Sequence, residues 1–289
     1  MKKRSKRSRR ITGAGIGTRP QARKRFGQHF LEPVWVAKLL AVIRPEPDEL
    51  FVEIGSGTGQ LTLPIAAAGA QIVAVEVDRD LAAGLRRVAP PQVQVVTGDI
   101  LAQDIVGLVA GAFGSRSPRL IRVVGNLPYN LSSPILFQIL RTQCTHRCFR
   151  DATLMLQREV ADRVVSVPRS RAYGPMAILT RVTADATRAL ALPPGAFRPS
   201  PRVRSAVVTL DFRPPPVSIT DPALFERMVR SLFTHRRKTL LNALAPFANA
   251  VSRFSSRELL ERAGLASDRR PETLDLEELA TLAGTLVAR

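Results

Sequence analysis

Hydrophobic positions in the first two thirds of the chain form short runs that are rich in Val and Ile and do not alternate strictly with polar residues. Such runs are typical of strands whose two faces are both covered. The first four runs begin roughly 21 to 28 residues apart, a spacing that suits successive βα units of a parallel sheet. The pattern predicts an α/β fold with strands at Leu50–Ile54, Gln71–Glu76, Gln92–Thr97, Leu120–Gly125, Ala152–Leu156 and Ser205–Phe212.

The pattern changes at three consecutive prolines, Pro214–Pro216, which we interpret as a stiff linker. Beyond them only helical segments are predicted, and Ser256 and Asp275, each followed by Glu residues, are typical of helix starts. The predicted helices are Pro222–Phe233, Arg236–Ala245, Ser256–Ala263 and Leu276–Val287. We therefore predict a basic, disordered tail at residues 1–20, an α/β domain at 21–213 and a small helical domain at 214–289.

Basic residues outnumber acidic residues by 43 to 24, which gives a formal net charge of +19. Eleven of the basic residues lie within residues 1–25, a stretch that contains no acidic residue, and the rest of the chain is basic as well. Each phosphate that a basic side chain neutralises releases condensed counterions. A positive charge that is spread over tail and body therefore favours a polyanion such as nucleic acid as the partner.

The sequence disfavours several other classes of protein. No apolar run approaches the ~20 residues that a membrane-spanning helix needs, and the basic N-terminus lacks the apolar segment of a secretory signal. We therefore expect a cytoplasmic protein without a membrane span. The two cysteines, Cys144 and Cys148, flank His146 and predict neither a disulfide scaffold nor a four-ligand metal site. No feature predicts an obligate oligomer, so a monomer is expected.

Three predicted strands end in residues that suit a nucleoside. The first strand runs into a glycine-rich turn with Gly55 and Gly57, where a ligand can lie against the backbone. The second ends at Glu76, 21 residues after Gly55, and a carboxylate there can accept hydrogen bonds from both hydroxyls of a ribose. The third is followed by Asp99, which can accept a hydrogen bond from an adenine amino group. Taken together, these strand ends predict a nucleoside pocket.

The fourth strand leads into Asn126, Leu127, Pro128 and Tyr129, whose groups suit the exocyclic amino group of an adenine. That amino group is a poor nucleophile because its lone pair is delocalised into the ring. Acceptors that draw its two N–H bonds out of the ring plane stabilise the developing positive charge. The side-chain carbonyl of Asn126 and the backbone carbonyl of Leu127 are the candidate acceptors. Pro128 makes the turn rigid, and the Tyr129 ring can stack on an extruded base.

Phe197 is a second candidate for stacking on the base. It lies in a loop with Pro199 and Pro201 just before the last predicted strand, and from there it could cover the opposite face of the base. The alternative is a phenylalanine that is anchored in the core, and the sequence leaves both interpretations open.

These segments together resemble the ribosomal RNA adenine dimethyltransferases over nearly all of the chain after residue 21. The resemblance is carried by residues 23–31 (RKRFGQHFL), 52–57 (VEIGSG), 98–99 (GD), 125–130 (GNLPYN) and the Phe197 loop. It is strongest to the bacterial small-subunit branch, the kasugamycin-sensitivity dimethyltransferases, which dimethylate two adjacent adenosines near the 3′ end of 16S rRNA. The resemblance implies a Rossmann-like, S-adenosyl-L-methionine-dependent methyltransferase fold with a small helical C-terminal domain. It also implies N6-dimethylation of 16S rRNA within the small ribosomal subunit and a role in maturation of that subunit.

The resemblance also assigns individual residues. It implies cofactor contacts for His29, where the family often has Asn, together with Leu31, Gly55, Gly57, Glu76, Asp99 and Asn126. A basic cluster in a predicted helix suits the phosphates of rRNA, and a solvated helix face is the alternative. The candidate RNA-binding residues are Arg236, Arg237 and Lys238 of that cluster, with Arg23, Lys24, Arg25 and Arg202.

Three other functions stay open at this point. They are a large-subunit rRNA methylase of the macrolide-resistance type, a ribosome-assembly or RNA-binding factor whose catalysis is dispensable, and a DNA adenine methylase. The segment Tyr173-Gly174 and the helices after Pro216 favour the small-subunit branch over the large-subunit one. The complete segment from Asn126 to Tyr129 argues against a purely binding role. A test on duplex DNA would identify the third alternative.

Overall fold

The structure is a computed structural model that describes residues 28–114 and 120–287. The strands in these residues are β1 (Phe30–Leu31), β2 (Leu50–Ile54), β3 (Gln71–Glu76), β4 (Val93–Thr97), β5 (Ile121–Asn126), β6 (Phe149–Gln157), β7 (Ala184–Leu192), β8 (Phe197–Arg198) and β9 (Ser205–Phe212). Seven of them form one sheet in the order β4-β3-β2-β5-β6-β9-β7, and β1 pairs with β8. The strands from β4 to β6 run parallel, whereas β9 is antiparallel to both β6 and β7.

Helices cover both faces of this sheet, as the predicted strands require. They are α1 (Pro33–Ile43), α2 (Thr62–Ala67), α3 (Arg79–Val88), α4 (Ile105–Phe113), α5 (Ser132–His146), α6 (Arg158–Val164) and α7 (Pro175–Thr183), followed by α8 (Pro222–Thr234), α9 (Leu240–Val251), α10 (Ser256–Arg262) and α11 (Leu276–Val287). Val52 and Ile54 of β2 point into a larger hydrophobic cluster, and Phe51, which precedes them, points into a second one. This confirms the predicted α/β class.

The four C-terminal helices share the larger hydrophobic cluster with the sheet. The cluster continues from α7 into Phe225 of α8 and Leu279 of α11. The buried ring of Tyr173 lies at this junction, and its hydroxyl donates a hydrogen bond to the carbonyl of Leu274 at 3.0 Å. The division into domains at residue 214 stays a prediction. None of the helices that the structure describes has the length and apolar character needed to cross a membrane.

The structure corrects one predicted element and adds another. The segment 236–239 was predicted to begin a helix, but it belongs to a turn in which the amide of Lys238 donates to the carbonyl of His235 at 2.8 Å, and α9 begins at Leu240. Strand β7 at the edge of the sheet was not predicted. The predicted tail at 1–20 and the basic residues Arg23, Lys24 and Arg25 lie outside the described residues.

Candidate active site

The candidate active site lies at the carboxyl ends of β2 to β5, where the strand order reverses between β2 and β5. Ligands of open α/β sheets bind at such a switch point. Two adjoining clefts open here, and both are lined by Gly55, Val77 and Pro128. The two together can therefore hold an extended ligand that passes across several strand ends.

The glycine-rich turn after β2 adopts a backbone that favours glycine. Gly55 and Gly57 have φ angles of +73° and +55°, and a Cβ on Gly57 would lie 3.4 Å from the ring of Phe30. Gly125 was not predicted as a site residue, yet a Cβ there would lie only 2.6 Å from the carbonyl oxygen of Ile54. This close approach of β2 and β5 requires glycine, and the neighbouring strand that causes it is distant in sequence.

Glu76 connects the end of β3 to the glycine-rich turn. Its Oε2 accepts a hydrogen bond from the amide of Gly57 at 2.7 Å, and its Oε1 accepts one from the amide of Asp78 at 2.9 Å. The side chain is only 5% exposed, and burial raises its pKa, with the two backbone amides opposing that shift. Each carboxylate oxygen has a second lone pair, so Glu76 can still accept bonds from two ligand hydroxyls.

Asp99 follows β4 in the second of the two clefts. Its Oδ1 accepts a hydrogen bond from the amide of Leu101 at 3.0 Å and begins a short 3₁₀ turn. The residue is exposed, and it lines the cleft together with Val75 and Ile100. The structure thus places the three predicted strand ends, Gly55, Glu76 and Asp99, along one edge of the sheet.

Asn126 has a defined orientation at the end of β5. Its Nδ2 donates a hydrogen bond to the backbone carbonyl of His29 at 2.7 Å. Since a carbonyl oxygen can only accept, the amide nitrogen of Asn126 must face His29. The side-chain oxygen of Asn126 is therefore left to accept a hydrogen bond from a ligand in the cleft. The neighbouring peptide is held by the amide of Leu127, which donates to the carbonyl of Met155 at 3.3 Å.

Tyr129 is tethered at the far end of its ring. Its hydroxyl lies 2.6 Å from Oγ of Ser205, a buried residue at the start of β9. Burial raises the pKa of the half-buried Tyr129 phenol, and the Ser205 contact opposes the shift. The ring consequently stays neutral and fixed, which suits a stacking surface. Ser205 was not predicted from the sequence.

Leu31 is joined to the glycine-rich turn through Gln60. The amide of Leu31 donates to Oε1 of Gln60 at 3.0 Å, and Nε2 of Gln60 donates to the carbonyl of Leu31 at 2.7 Å. Gln60 occupies the position where a dinucleotide-binding loop would have its third glycine. Because the amide of Leu31 is already bonded, the ligand contacts left to this residue are its side chain and the second lone pair of its carbonyl.

Two further polar residues line the first cleft. Glu53 is 2% exposed and accepts a short hydrogen bond from Oγ1 of Thr62. Burial raises the pKa of Glu53 to about 8, nearby Glu76 adds to the shift, and Thr62 opposes it. Oγ of Ser56 is buried without a hydrogen-bond partner among the described residues. An unpartnered buried hydroxyl is rare in folded proteins, and here it points to a polar ligand.

The donor and acceptor set fits S-adenosyl-L-methionine. That molecule has two ribose hydroxyls, an adenine amino group, an ammonium group and a sulfonium. The described residues that line the first cleft include two carboxyl groups, those of Glu53 and Glu76, and no Lys or Arg. The carboxyl oxygens can accept hydrogen bonds from hydroxyl and ammonium groups, and these lining residues place no Lys or Arg where it would repel the positive groups of the ligand.

Two of the predicted site residues, Phe197 and Arg236, do not lie where a contact with RNA requires them. Phe197 is 0% exposed and belongs to the second hydrophobic cluster, because β8 pairs it with Leu31. It is thus the anchored core residue of the alternative interpretation. Arg236 was assigned to rRNA phosphates, but its guanidinium forms an ion pair with Glu272 at 2.7 Å and donates to the carbonyl of Arg171 at 3.1 Å. The exposed candidates are Arg202, Arg237 and Lys238.

Comparison with known proteins assigns the chain to a family. The family model described as "Ribosomal RNA adenine dimethylase" matches residues 19–282. The "Ribosomal RNA small subunit methyltransferase A" of Xylella fastidiosa (strain Temecula1) is 36% identical over 264 residues, 91% of this chain and 95% of the relative. The protein of that name from Anaeromyxobacter sp. (strain K) is 41% identical over 271 residues, 92% of this chain and 94% of the relative.

A solved structure adds evidence on the fold. A dimethyladenosine transferase from Plasmodium falciparum superposes with a TM-score of 0.70, at 21% identity, over 88% of this chain and 96% of that chain. The predicted Rossmann-like methyltransferase fold, enzyme class and cofactor are confirmed. The chain belongs to the ribosomal RNA adenine dimethylases, which transfer methyl groups from S-adenosyl-L-methionine to adenine in rRNA.

Proposed function

We propose that this enzyme dimethylates N6 of two adjacent adenosines near the 3′ end of 16S rRNA within the small ribosomal subunit, and that it contributes to maturation of that subunit. Relatives named for the small subunit match more than nine tenths of the chain and support this substrate over large-subunit rRNA. The helices α8 to α11 and the anchored Tyr173 also favour it. We propose that the enzyme acts as a monomer in the cytoplasm, where small subunits are assembled.

S-adenosyl-L-methionine supplies a methyl group that is activated by the sulfonium. The carboxylate of Glu76 would hold the ribose hydroxyls, and Asp99 would hold the adenine amino group. The open backbone of Gly55 and Gly57 lets the ligand lie against the turn, and the unpartnered Ser56 hydroxyl adds a polar contact. The remaining proposed cofactor contacts are His29, Leu31 and Asn126, all of which line the first cleft.

The orientation of Asn126 carries the catalytic proposal. Its Nδ2 is committed to the carbonyl of His29, so its oxygen is the group that faces the cleft. That oxygen and the carbonyl of Leu127 would accept the two N–H bonds of the target N6, while the base stacks on Tyr129 and Pro128 keeps the turn rigid. Acceptors placed in this way stabilise the positive charge that develops on N6 during methyl transfer. The arrangement favours a catalytic role over a purely binding one.

Exposed basic residues around the cleft and on the C-terminal helical region would bind rRNA phosphates. Arg202, Arg237 and Lys238 are exposed and suit this role. Arg236 instead positions the turn that carries Arg237 and Lys238, because it joins this turn to Glu272. We assign Arg23, Lys24 and Arg25 to the same RNA contact on the basis of their charge.

The direct test is transfer of labelled methyl groups from S-adenosyl-L-methionine to unmodified small subunits, with large subunits and duplex DNA as parallel substrates. We expect the label in N6-dimethyladenosine of 16S rRNA alone. Label in large-subunit RNA or in DNA would overturn the substrate assignment. Absence of transfer by protein that still binds small subunits would favour the assembly-factor alternative. Sedimentation of the same preparation would test the monomer.

A further inference from the structure

The His29 ring lies against the proposed stacking surface. Its centroid is 5.7 Å from that of Tyr129, and the two ring planes are inclined by only 24°. Parallel rings at this separation are in stacking contact. Both residues line the first cleft beside Asn126 and Pro128. One face of Tyr129 is therefore covered by a second aromatic ring in the free protein.

The two rings are held with different strength. Tyr129 is fixed through its hydroxyl to the buried Ser205. The His29 side chain is held by its Nδ1, which lies 2.6 Å from the carbonyl oxygen of Pro199 in a hydrogen bond that is exposed to solvent. Since the carbonyl can only accept, Nδ1 carries the hydrogen. An exposed hydrogen bond contributes little to stability, so the imidazole is the ring that can move.

The backbone of His29 stays in place when the ring moves. Its carbonyl accepts the hydrogen bond from Nδ2 of Asn126, and β1 begins at the next residue. The pivot of the imidazole therefore lies beside the proposed acceptor of the target N6. Phe197, the other ring considered for the second face of the base, is fully buried in the core. Among the described residues, His29 is the ring in stacking contact with Tyr129.

We propose that His29 is the second wall of the base-binding site, which covers Tyr129 in the free enzyme and packs on the opposite face of the target adenine once it has entered. A base between two rings needs about 3.5 Å on each side, or roughly 7 Å between the ring planes. Because the two rings are in contact in the free protein, the imidazole must move away from Tyr129, which requires its exposed hydrogen bond to Pro199 to lengthen or break. This inference rests on the proposed stacking of adenine on Tyr129.

Three variants separate a stacking role from a hydrogen-bonding role. His29→Phe keeps an aromatic ring and removes Nδ1, His29→Ala removes both, and His29→Asn introduces the residue that the family often has. The measurements are kcat/KM on unmodified small subunits and the fluorescence of subunits with 2-aminopurine at the target position, which is quenched when that base stacks. The affinity for S-adenosyl-L-methionine, from calorimetry on the free enzyme, is the control.

We expect His29→Phe to retain the quenching and to have a kcat/KM above those of His29→Ala and His29→Asn. His29→Ala and His29→Asn should each lower kcat/KM about tenfold and weaken the quenching, as the loss of one stacking partner predicts. The cofactor affinity of His29→Phe and His29→Ala should match each other. If His29→Ala behaves like His29→Phe, or if only His29→Asn keeps activity, the stacking role is wrong.

Tyr129→Ala distinguishes failure of this inference from failure of the proposed function. If Tyr129→Ala abolishes the quenching while His29→Ala leaves it unchanged, the base stacks on Tyr129 and His29 is not its second wall. If Tyr129→Ala leaves the quenching unchanged as well, the base does not dock on this loop, and both the proposed base site and the role of His29 are overturned.

Discussion

Ionisable side chains are buried at both the amino and the carboxyl ends of the parallel strands, but the groups that they contact differ. At the amino end, the guanidinium of Arg122 on β5 contacts Glu49 at 2.6 Å and Asp151 at 2.9 Å. It also donates to the carbonyls of Ile43 and Arg44 and lies over the ring of Phe51. Burial raises the pKa of Asp151 against the opposing attraction of Arg122. For Arg122 burial lowers the pKa, but the contacts with Asp151 and Glu49 outweigh it and raise the pKa, so the attraction offsets much of the cost of desolvation.

At the carboxyl end, the buried carboxyl groups have no cationic partner. The ion pairs among the described residues include none to Glu53 or Glu76, and burial raises the pKa of both. Their hydrogen bonds come from Thr62 and from backbone amides, and the nearby Ser56 hydroxyl has no partner in this part of the chain. Unpaired buried groups are costly in the free protein. One end of the sheet is therefore built for stability and the other for a ligand.

Removal of the cation at the amino end should have the largest effect. Arg122→Ala leaves the half-exposed Arg150 as the remaining cation beside Glu49 and Asp151, and we expect a loss of about 3–5 kcal/mol in the free energy of unfolding. Urea denaturation measures this loss of stability. Arg150→Ala is the control, because Arg150 contacts the same Glu49 carboxylate but its side chain is 55% exposed. Its loss should stay below about 1 kcal/mol. Equal losses in the two variants would contradict the role of the buried network.

Asn126→Ala should be the most severe change at the carboxyl end, and its effect should appear in the rate. Loss of one preorganised hydrogen-bonding group at a reacting centre lowers kcat by about 10²- to 10³-fold. Single-turnover methyl transfer to small subunits measures it, and binding of the subunits should persist. Asn249→Ala, at an exposed site on α9, is the control. Turnover within a few-fold of the unmodified enzyme would disprove the catalytic assignment.

The sequence predicts β2, β3 and β5 well because nearly all of their residues are buried and their runs are therefore largely apolar. Strand β7 escaped prediction because it lies at the edge of the sheet and carries exposed polar residues such as Asp185 and Arg188. The start of α9 was placed too early because Arg236 pairs with Glu272, which lies 36 residues away. Local pattern cannot reveal a partner at that distance.

At the candidate site, the sequence predicts that Gly55, Glu76 and Asp99 lie near one another, because strand ends of a parallel sheet meet at one edge, a rule that needs no contact information. Their roles in binding stay a prediction. Gln60 and Ser205 were missed because their roles depend on Leu31 and Tyr129, residues that only the folded chain brings near. A residue that acts by positioning another site residue is therefore hard to predict from a single sequence.

Glu53→Gln should change how stability depends on pH. The pKa of Glu53 is raised to about 8, so the folded protein keeps a proton that the unfolded chain loses near its ordinary value of 4.5. The stability that this group contributes is present below that value and falls as pH rises towards 8, by about 1.4 kcal/mol per pH unit. Glutamine does not ionise, so the variant should gain stability relative to the unmodified protein from pH 5 to 8. If the free energies of unfolding of the two proteins, measured by urea denaturation, change in parallel between pH 5 and 8, the raised pKa of Glu53 is wrong.

The smallest expected effect is that of Glu76→Gln, and Glu49→Gln is its matched control. The pair tests whether the carboxyl end of the sheet serves binding and the amino end serves stability. A charged acceptor contributes more to a hydrogen bond than a neutral one, by about 1.4 kcal/mol. Glu76→Gln should therefore weaken the binding of S-adenosyl-L-methionine about tenfold, as measured by calorimetry. Glu49→Gln makes the same chemical change at the amino end, where it weakens the contact with Arg122. It should lower the free energy of unfolding and leave cofactor affinity unchanged. If both variants weaken cofactor binding equally, binding is not specific to the carboxyl end of the sheet.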